Sequence, residues 1–303
     1  MSQHVPFRLG IDLGGTKIAG VVLDREGDAA ASCTIASPQN DYRATLAALA
    51  EVITQLERDA GEACTIGIGM PGSISPATGL VQNANSTWLN GRSLSGDLQA
   101  LVSRPVRFAN DANCFALSEA TDGAAVGAQS VFGVILGTGC GGGIVIGGRI
   151  VDGLRGIGGE WGHNPLPWPT PDELAIPPCW CGRRGCMETW VSGPALAADH
   201  ARVTGHSLKA EAVAAYAAAG DANARASLDR HVHRLARGLA TIVNLIDPDV
   251  IVLGGGLSSL PHLYEALPRR MTPYIFADAP HIAVRPPMHG PASGVRGAAR
   301  LWP

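Results

Sequence analysis

From Phe7 to Asp24 the chain reads as two β-rich apolar runs on either side of Gly14-Gly15-Thr16-Lys17. That pattern predicts a β-hairpin whose tight turn exposes several backbone N–H groups and one hydroxyl. Leu46, Leu49, Val52, Ile53 and Leu56 then recur at helical spacing, and Thr65 to Met70 forms a strand that Pro71-Gly72 ends. A short helix near Ser95 to Val102 and a strand from Pro105 to Ala109 lead into Asn110-Asp111-Ala112-Asn113, ahead of a helix from Cys114 to Ala120. The strand Ser130 to Leu136 and the apolar run Ile144 to Ile146 enclose a second Gly-rich turn, Gly137 to Gly143. Ala210 to Ala219 is an Ala-rich helix that Gly220 ends. Leu228, Val232, Leu235, Leu239, Ile242, Val243 and Ile246 follow at spacings of mostly three and four, a long amphipathic helix stopped by Asp247-Pro248. This spacing puts His231 and His233 on the solvated flank. Val250 to Leu253 is a strongly apolar strand before Gly254-Gly255-Gly256, and Gly294 to Leu301 is a short helix able to pack back on the first half.

Composition narrows the class. A chain of 303 residues with 46% hydrophobic and 16% charged positions has the balance of a soluble globular protein, long enough for two domains. The net charge of −3, with no Lys/Arg run, argues against nucleic acid as a partner. No apolar run approaches a membrane span. Seven cysteines are an odd count with a clustered trio, and Met1 to Pro6 has neither a basic start nor an apolar signal core, so a reducing cytoplasm is expected.

The two Gly-rich turns are the first candidate chemistry. A turn that presents successive N–H groups binds anions, phosphate above all, although an ordinary hairpin would read the same way. Asp12 lies in the strand just before the first turn, placed to hold a hydrated magnesium ion, and Lys17 adds a cation. Gly137, Gly139 and Gly142 satisfy GxGxxG, but a β-branched run follows in place of a helix, so a dinucleotide fold is excluded. Two strand–Gly turn–strand units in one chain suggest an internal duplication. At Asn110-Asp111 one side chain is expected to cap the helix, and the other is left where ligands bind in α/β folds. Asp111 can then act as a general base for a hydroxyl. The polar run Gln82 to Asn90 with Trp88 suits a sugar and a surface loop equally well.

The most specific signal is Cys179, Cys181 and Cys186 within eight residues, with His163 upstream across a Pro-rich connector. This is the Cys3His set of a closed structural zinc site, with no open position for catalytic water. Glu160 and Glu188 flank the ligands, and a metal joining His163 to the cysteine loop would bring these two hydroxyl acceptors together.

In order and over nearly the whole chain, these residues resemble the ROK family of bacterial sugar kinases. The resemblance rests on Asp12 to Lys17, Asn110-Asp111, the loop from Gly137, Glu160-Trp161-Gly162-His163, the cysteine loop with Glu188, and Gly254 to Gly256. Within the family, Gly72 to Pro76, Asn83 to Gly91 and Gly162 to Trp168 most resemble bacterial fructokinases of the mannokinase/fructokinase type.

The resemblance implies an actin-like ATPase (hexokinase-type) α/β fold. A small N-terminal α/β domain (1–112, rejoined by the last helix at about 292–303) and a larger C-terminal α/β domain (113–291) would flank the active-site cleft. The implied ATP set is Gly10, Ile11, Asp12, Leu13, Gly14, Gly15, Thr16 and Lys17; then Gly137, Thr138, Gly139, Cys140, Gly141, Gly142, Gly143 and Ile144; and Gly254, Gly255 and Gly256 on the adenosine side. Asn110, Glu160, His163 and Glu188 would bind the hexose, His163 also the zinc, with Asp111 as base and ATP with Mg2+ as phosphoryl donor. Fructose is the expected acceptor, with mannose, glucose, N-acetylglucosamine and N-acetylmannosamine as alternatives, and a homodimer is a family expectation. A non-catalytic sugar sensor or a ROK-type repressor is a distant alternative. The repressor is disfavoured because the first hairpin begins near residue 7, and the sensor because both Asp12 and Asp111 are present.

Overall fold

The computed structural model describes residues 7–302; the reading of Met1 to Pro6 as free of an export signal lies outside them. Strands β1 (Arg8–Leu13) and β2 (Lys17–Leu23) form the expected hairpin, with Leu13 opposite Ile18 and the Gly14 N–H donating to the Lys17 carbonyl at 3.0 Å. Strand β3 (Ala29–Ala36) adds to β2. It was not legible beforehand, because its short Ala, Ser, Thr and Cys side chains leave an alternation of half-buried and exposed positions with almost no apolar contrast.

Helix α1 (Tyr42–Ala60) is capped by Asp41, whose side chain accepts from the Ala44 N–H, and ends at Gly61 in the left-handed conformation. After it come β4 (Thr65–Met70), the small hairpin β5 (Ser73–Ile74) and β6 (Val81–Gln82), α2 (Leu94–Val102), β7 (Val106–Asn110) and α3 (Asp111–Thr121). The first sheet runs β3-β2-β1-β4-β7. Leu9, Ile11, Ile66 and Ile68 from its strands are fully buried with Leu49 and Leu56 of α1.

The chain continues through β8 (Ser130–Leu136), β9 (Cys140–Ile146), β10 (Arg149–Ile150), α4 (Glu188–Val191), α5 (Gly193–Thr204) and α6 (Ala210–Ala218). It ends with α7 (Ala222–Ile246), β11 (Val250–Gly254), α8 (His262–Met271), β12 (Ala283–Arg285) and α9 (Ser293–Ala299). The second sheet runs β10-β9-β8-β11-β12, so the strand order around each Gly-turn hairpin is the same in both sheets. That repeated topology is what the two similar sequence units implied.

Backbone contacts divide the chain into two compact units. One is Met1–Gly123 with Gly143–Gly158 and Pro291–Pro303; the other is Ala124–Gly142 with Gly159–Gly290. In the first unit α9 lies on β1, β4 and α3. A Cβ at Gly10 would fall 2.1 Å from the Val295 carbonyl oxygen, and one at Gly67 would fall 1.9 Å from that of Ala298. These glycines let helix backbone rest directly on sheet backbone. Gly10, named in the ATP set, thus has a packing reason for its identity, and Ile11 and Leu13 of that set are core residues.

Two expectations change. Gly141, Gly142 and Gly143 are strand residues rather than turn residues, because β9 begins at Cys140. His231 is 1% exposed rather than solvated, with Nε2 at 2.9 Å from the Val191 carbonyl oxygen and burial pushing its pKa down to about 4. The cause is that α4, α5, α6 and α8 all pack on α7, burying more of its circumference than one apolar stripe. His233 is half-buried, with Nε2 at 2.9 Å from the Tyr274 hydroxyl. Among the described residues no helix is long and apolar enough to cross a membrane.

Candidate active site

In the first unit, β1 carries Asp12 to the edge of the turn, where Gly15, Thr16 and Lys17 are exposed. Burial raises the Asp12 carboxyl pKa and the Lys17 charge opposes that shift. A half-buried carboxylate that is costly to ionise alone is suited to a cation. A Cβ at Gly294 of α9 would lie 3.7 Å from Asp12 Oδ2, so the start of that helix comes close to the carboxylate.

Strand β7 passes straight into α3, and Asn110 is the helix cap. Its Oδ1 accepts the Ala112 N–H at 2.9 Å and its Nδ2 donates to the Gly72 carbonyl at 3.1 Å. Asp111 is the first helical residue, and its Oδ1 accepts the same Ala112 N–H at 2.8 Å. The positive end of a helix favours an ionised carboxylate there. Cys114, buried one turn on, has its thiol pKa pushed well up by burial, with the charges of Asp12 and Asp111 adding to it. The charges of both carboxylates thus reach the same buried thiol.

In the second unit, one ligand atom each from His163, Cys179, Cys181 and Cys186 lies within 4.8 Å of all the others. Cys179 Sγ is 3.7 Å from His163 Nδ1, and Cys181 Sγ is 3.7 Å from Cys186 Sγ. Those distances are far beyond a disulfide of about 2.05 Å. They match the edge of about 3.8 Å expected for a tetrahedron with thiolates about 2.3 Å from its centre. The loop reaches this shape because Gly182 and Gly185 take positive φ (86° and 72°), while backbone pairs Pro165 with Cys186 and Pro178 with Arg184. Cys179 and Cys186 are buried, although their Gly and Arg neighbours offered no apolar face.

His163 turns Nδ1 to the cysteines and Nε2 to Glu160, whose Oε2 is 4.0 Å away. Burial raises the Glu160 pKa, the His163 charge opposes it, and the charge of Glu188 adds to it. Glu188 starts α4 two residues after Cys186. Its Oε2 accepts the Cys140 backbone N–H at 3.0 Å, and its Oε1 accepts the indole N–H of Trp180 at 2.6 Å. Glu188 thus joins the cysteine loop to the second Gly turn, and neither partner was foreseen. An indole between two ligand cysteines was the available signal, because a held N–H donor needs an acceptor.

The turn itself is Gly137 to Gly139, with the Gly137 N–H donating to the Gly139 carbonyl at 3.0 Å and Thr138 exposed. A Cβ at Gly139 would lie 2.6 Å from Glu188 Oε2. In β9 the glycines serve packing: a Cβ at Gly142 would meet the Trp161 ring at 2.6 Å, and one at Gly143 would meet the Ala112 carbonyl oxygen at 2.3 Å. At the end of β11, Gly255 has φ 79° and a Cβ there would fall 2.4 Å from the Leu136 carbonyl oxygen, whereas Gly256 faces open space. Elsewhere in this unit α6, α7 and α8 line an open groove of about 800 Å³, with Leu228, Val232, Leu260 and Pro261 beside Arg225 and Arg269.

Residues 8–303 match the ROK family. The chain belongs to that family. It is 38% identical over 296 residues to an N-acetyl-D-glucosamine kinase of Photobacterium profundum, covering 96% of this chain and 98% of that one. Among solved structures, a ROK hexokinase from Thermus thermophilus is similar with a TM-score of 0.85 and 34% identity, covering 97% of this chain and 96% of that one. A ROK glucokinase from Streptomyces griseus, solved with glucose and AMPPNP, is similar with a TM-score of 0.78 and 28% identity, covering 97% and 98%. The fold is the actin-like ATPase, hexokinase-type α/β arrangement.

The fructokinase expectation is not carried by these relatives, which are named an N-acetyl-D-glucosamine kinase, a hexokinase and a glucokinase. The three segments behind it are engaged in local architecture. Gly72, at φ 68°, sits where a Cβ would lie 2.2 Å from the Gln82 carbonyl oxygen. The Asn90 side chain binds both the N–H and the carbonyl of Ala84, at 2.9 and 2.8 Å, and Trp88 Nε1 donates to Thr45. Trp168 stacks on Tyr274 and its carbonyl accepts from Arg237. Polar composition in these loops therefore reflects loop closure, which sugar kinases of different specificity can share.

Proposed function

We propose that this ROK-family chain is an ATP-dependent sugar kinase whose acceptor is N-acetyl-D-glucosamine. The observation that carries the acceptor is the 38% identity over 296 residues to kinases named for that sugar, a span that takes in both units. The similarity to the Streptomyces glucokinase, solved with glucose and AMPPNP, supports glucose as the second reading.

In this reading Asp111 accepts the proton of the attacking hydroxyl, and Asn110, Glu160, His163 and Glu188 hold the sugar. The turns Gly14 to Lys17 and Gly137 to Gly139 hold the phosphates of the MgATP substrate, with Asp12 on its cation. The groove between α6, α7 and α8 receives the adenine against its apolar residues Leu228, Val232 and Leu260. Phosphoryl transfer passes through a loose transition state, so alignment and charge neutralisation dominate the protein's contribution. The four-ligand cluster is a structural zinc site; zinc, when bound, supplies cross-linking of the loop. His163, Glu160 and Glu188 then stay at fixed separations, and misplacement by about 1 Å can cost roughly 10²-fold in rate.

The deciding experiment is an ADP-release assay with MgATP and N-acetylglucosamine, glucose, mannose, N-acetylmannosamine and fructose. N-acetylglucosamine is expected to lead in kcat/KM by roughly tenfold or more. A lead by another hexose overturns the acceptor, and silence with every hexose overturns the kinase reading. Separately, Cys181→Ser is expected to leave purified protein without stoichiometric zinc by metal analysis. One zinc per chain in that variant would remove Cys181 from the ligand set.

A further inference from the structure

We propose that Trp180 belongs to the sugar subsite: its indole N–H orients Glu188, and its exposed ring forms a wall against the hexose held by Glu160, His163 and Glu188. This deepens the reading above and rests on it.

Trp180 lies between Cys179 and Cys181, and the backbone on both sides is fixed. The Cys179 N–H donates to the Arg183 carbonyl at 2.8 Å and the Gly182 N–H to the Cys179 carbonyl at 3.0 Å. The side chain is 56% exposed, yet its direction is set at two points. Its N–H is bound to Glu188 Oε1 at 2.6 Å, and its ring meets the His163 ring edge-on, centroids 5.2 Å apart at 82°. The indole therefore bridges two of the groups assigned to the sugar.

Among the described residues each carboxylate oxygen of Glu188 has one protein donor, Trp180 on Oε1 and Cys140 on Oε2. An ionised carboxylate has about four lone-pair sites, so each oxygen retains capacity for a hydroxyl while the carboxylate plane is held. Small-molecule sites combine a few such oriented polar groups with aromatic walls, and an indole with one wet side suits the apolar C–H face or acetamido methyl of a sugar.

The test compares wild type with Trp180→Phe, which keeps the ring edge but loses the donor, and Trp180→Ala, which loses both. Trp180→Phe is expected to raise the KM for N-acetylglucosamine roughly tenfold, the scale of one hydrogen bond to a charged group, and Trp180→Ala to raise it further. The KM for ATP and zinc per chain should stay at wild-type values, with kcat within about twofold, as expected when binding is lost equally in ground and transition states. The tryptophan emission change on adding the sugar should disappear in both variants. Unchanged sugar KM, or zinc lost together with sugar affinity, overturns the proposal. If wild type phosphorylates no hexose, the kinase reading fails separately and emission titration with N-acetylglucosamine decides Trp180: a change that both variants abolish upholds its place in the sugar site, and no change overturns it.

Discussion

Asp111→Asn is expected to lower kcat by about 10²–10⁴-fold, the usual contribution of a positioned general base. Asparagine has the same shape and keeps an oxygen for the Ala112 N–H, which Asp111 accepts at 2.8 Å, so the start of α3 should survive. What disappears is the ability to take a proton from the sugar hydroxyl. Affinities for N-acetylglucosamine and ATP by calorimetry should therefore remain within about threefold of wild type, since the loss falls on the transition state alone. Turnover near the wild-type rate would remove Asp111 as the base. A collapse of sugar binding with the structure intact would make it a ligand instead.

Arg237→Ala is expected to cost about 3–5 kcal/mol of stability, the range for breaking a buried ion pair from one side. Arg237 is fully buried on α7, and its Nη2 donates to both oxygens of Glu173, at 2.8 and 2.7 Å. Its Nη1 donates to the carbonyls of Pro167 and Trp168, and Arg234 Nε donates to Glu173 Oε1 at 2.8 Å. Glu173 also caps its own turn, accepting the Thr170 N–H at 2.9 Å. Arg234 continues to Asp199 at 3.0 Å, which Arg230 and Arg202 also bind. These contacts fasten the Pro-rich connector between His163 and Cys179 to the long helix. Without them His163 and Cys179, the two ends of that connector, lose their fixed approach.

The same cluster sets an acid sensitivity. Burial works to raise the Glu173 pKa, but hydrogen bonds from Arg234, Thr170 and Arg237 overcome it and hold the carboxyl at about 2, against an ordinary 4.5. Above pH 4.5 the carboxylate is ionised in folded and unfolded chains alike, and the full contribution, on the order of 3 kcal/mol, is present. As pH falls from 4.5 through 2 the unfolded chain binds the proton first and that contribution is lost. Urea unfolding followed at pH 7 and at pH 3 should show wild type losing stability and Glu173→Gln losing less. An Arg237→Ala variant as stable as wild type at pH 7 would end the argument.

The elements that could be read in advance share a physical basis. The hairpin at Gly14-Gly15, α1, β4, β8, α7 and β11 are all written in the apolar period or turn chemistry of adjacent residues. The His163–cysteine cluster was legible for a related reason: three thiols within eight residues must meet, and only a histidine or carboxylate was needed to complete a metal-ligand set. Asn110 and Asp111 stood between these cases. Their place at a strand-to-helix junction was local, but the cap had to be seen to fall on Asn110, which left Asp111 as the first helical residue beside Cys114.

The primary structure alone therefore carried the family, the hairpin turns, the long helices and the grouping of His163 with the three cysteines, because each depends on residues close in sequence or on a chemistry with few solutions. The tertiary structure decided which glycines are there for ligand approach and which, like Gly10, Gly142 and Gly143, are there so that backbones can touch. It buried His231, paired Glu173 with arginines more than sixty residues away, and turned Trp180 onto Glu188. Those outcomes depend on which distant surfaces meet, and a residue's own neighbours carry no record of the element that will pack against it.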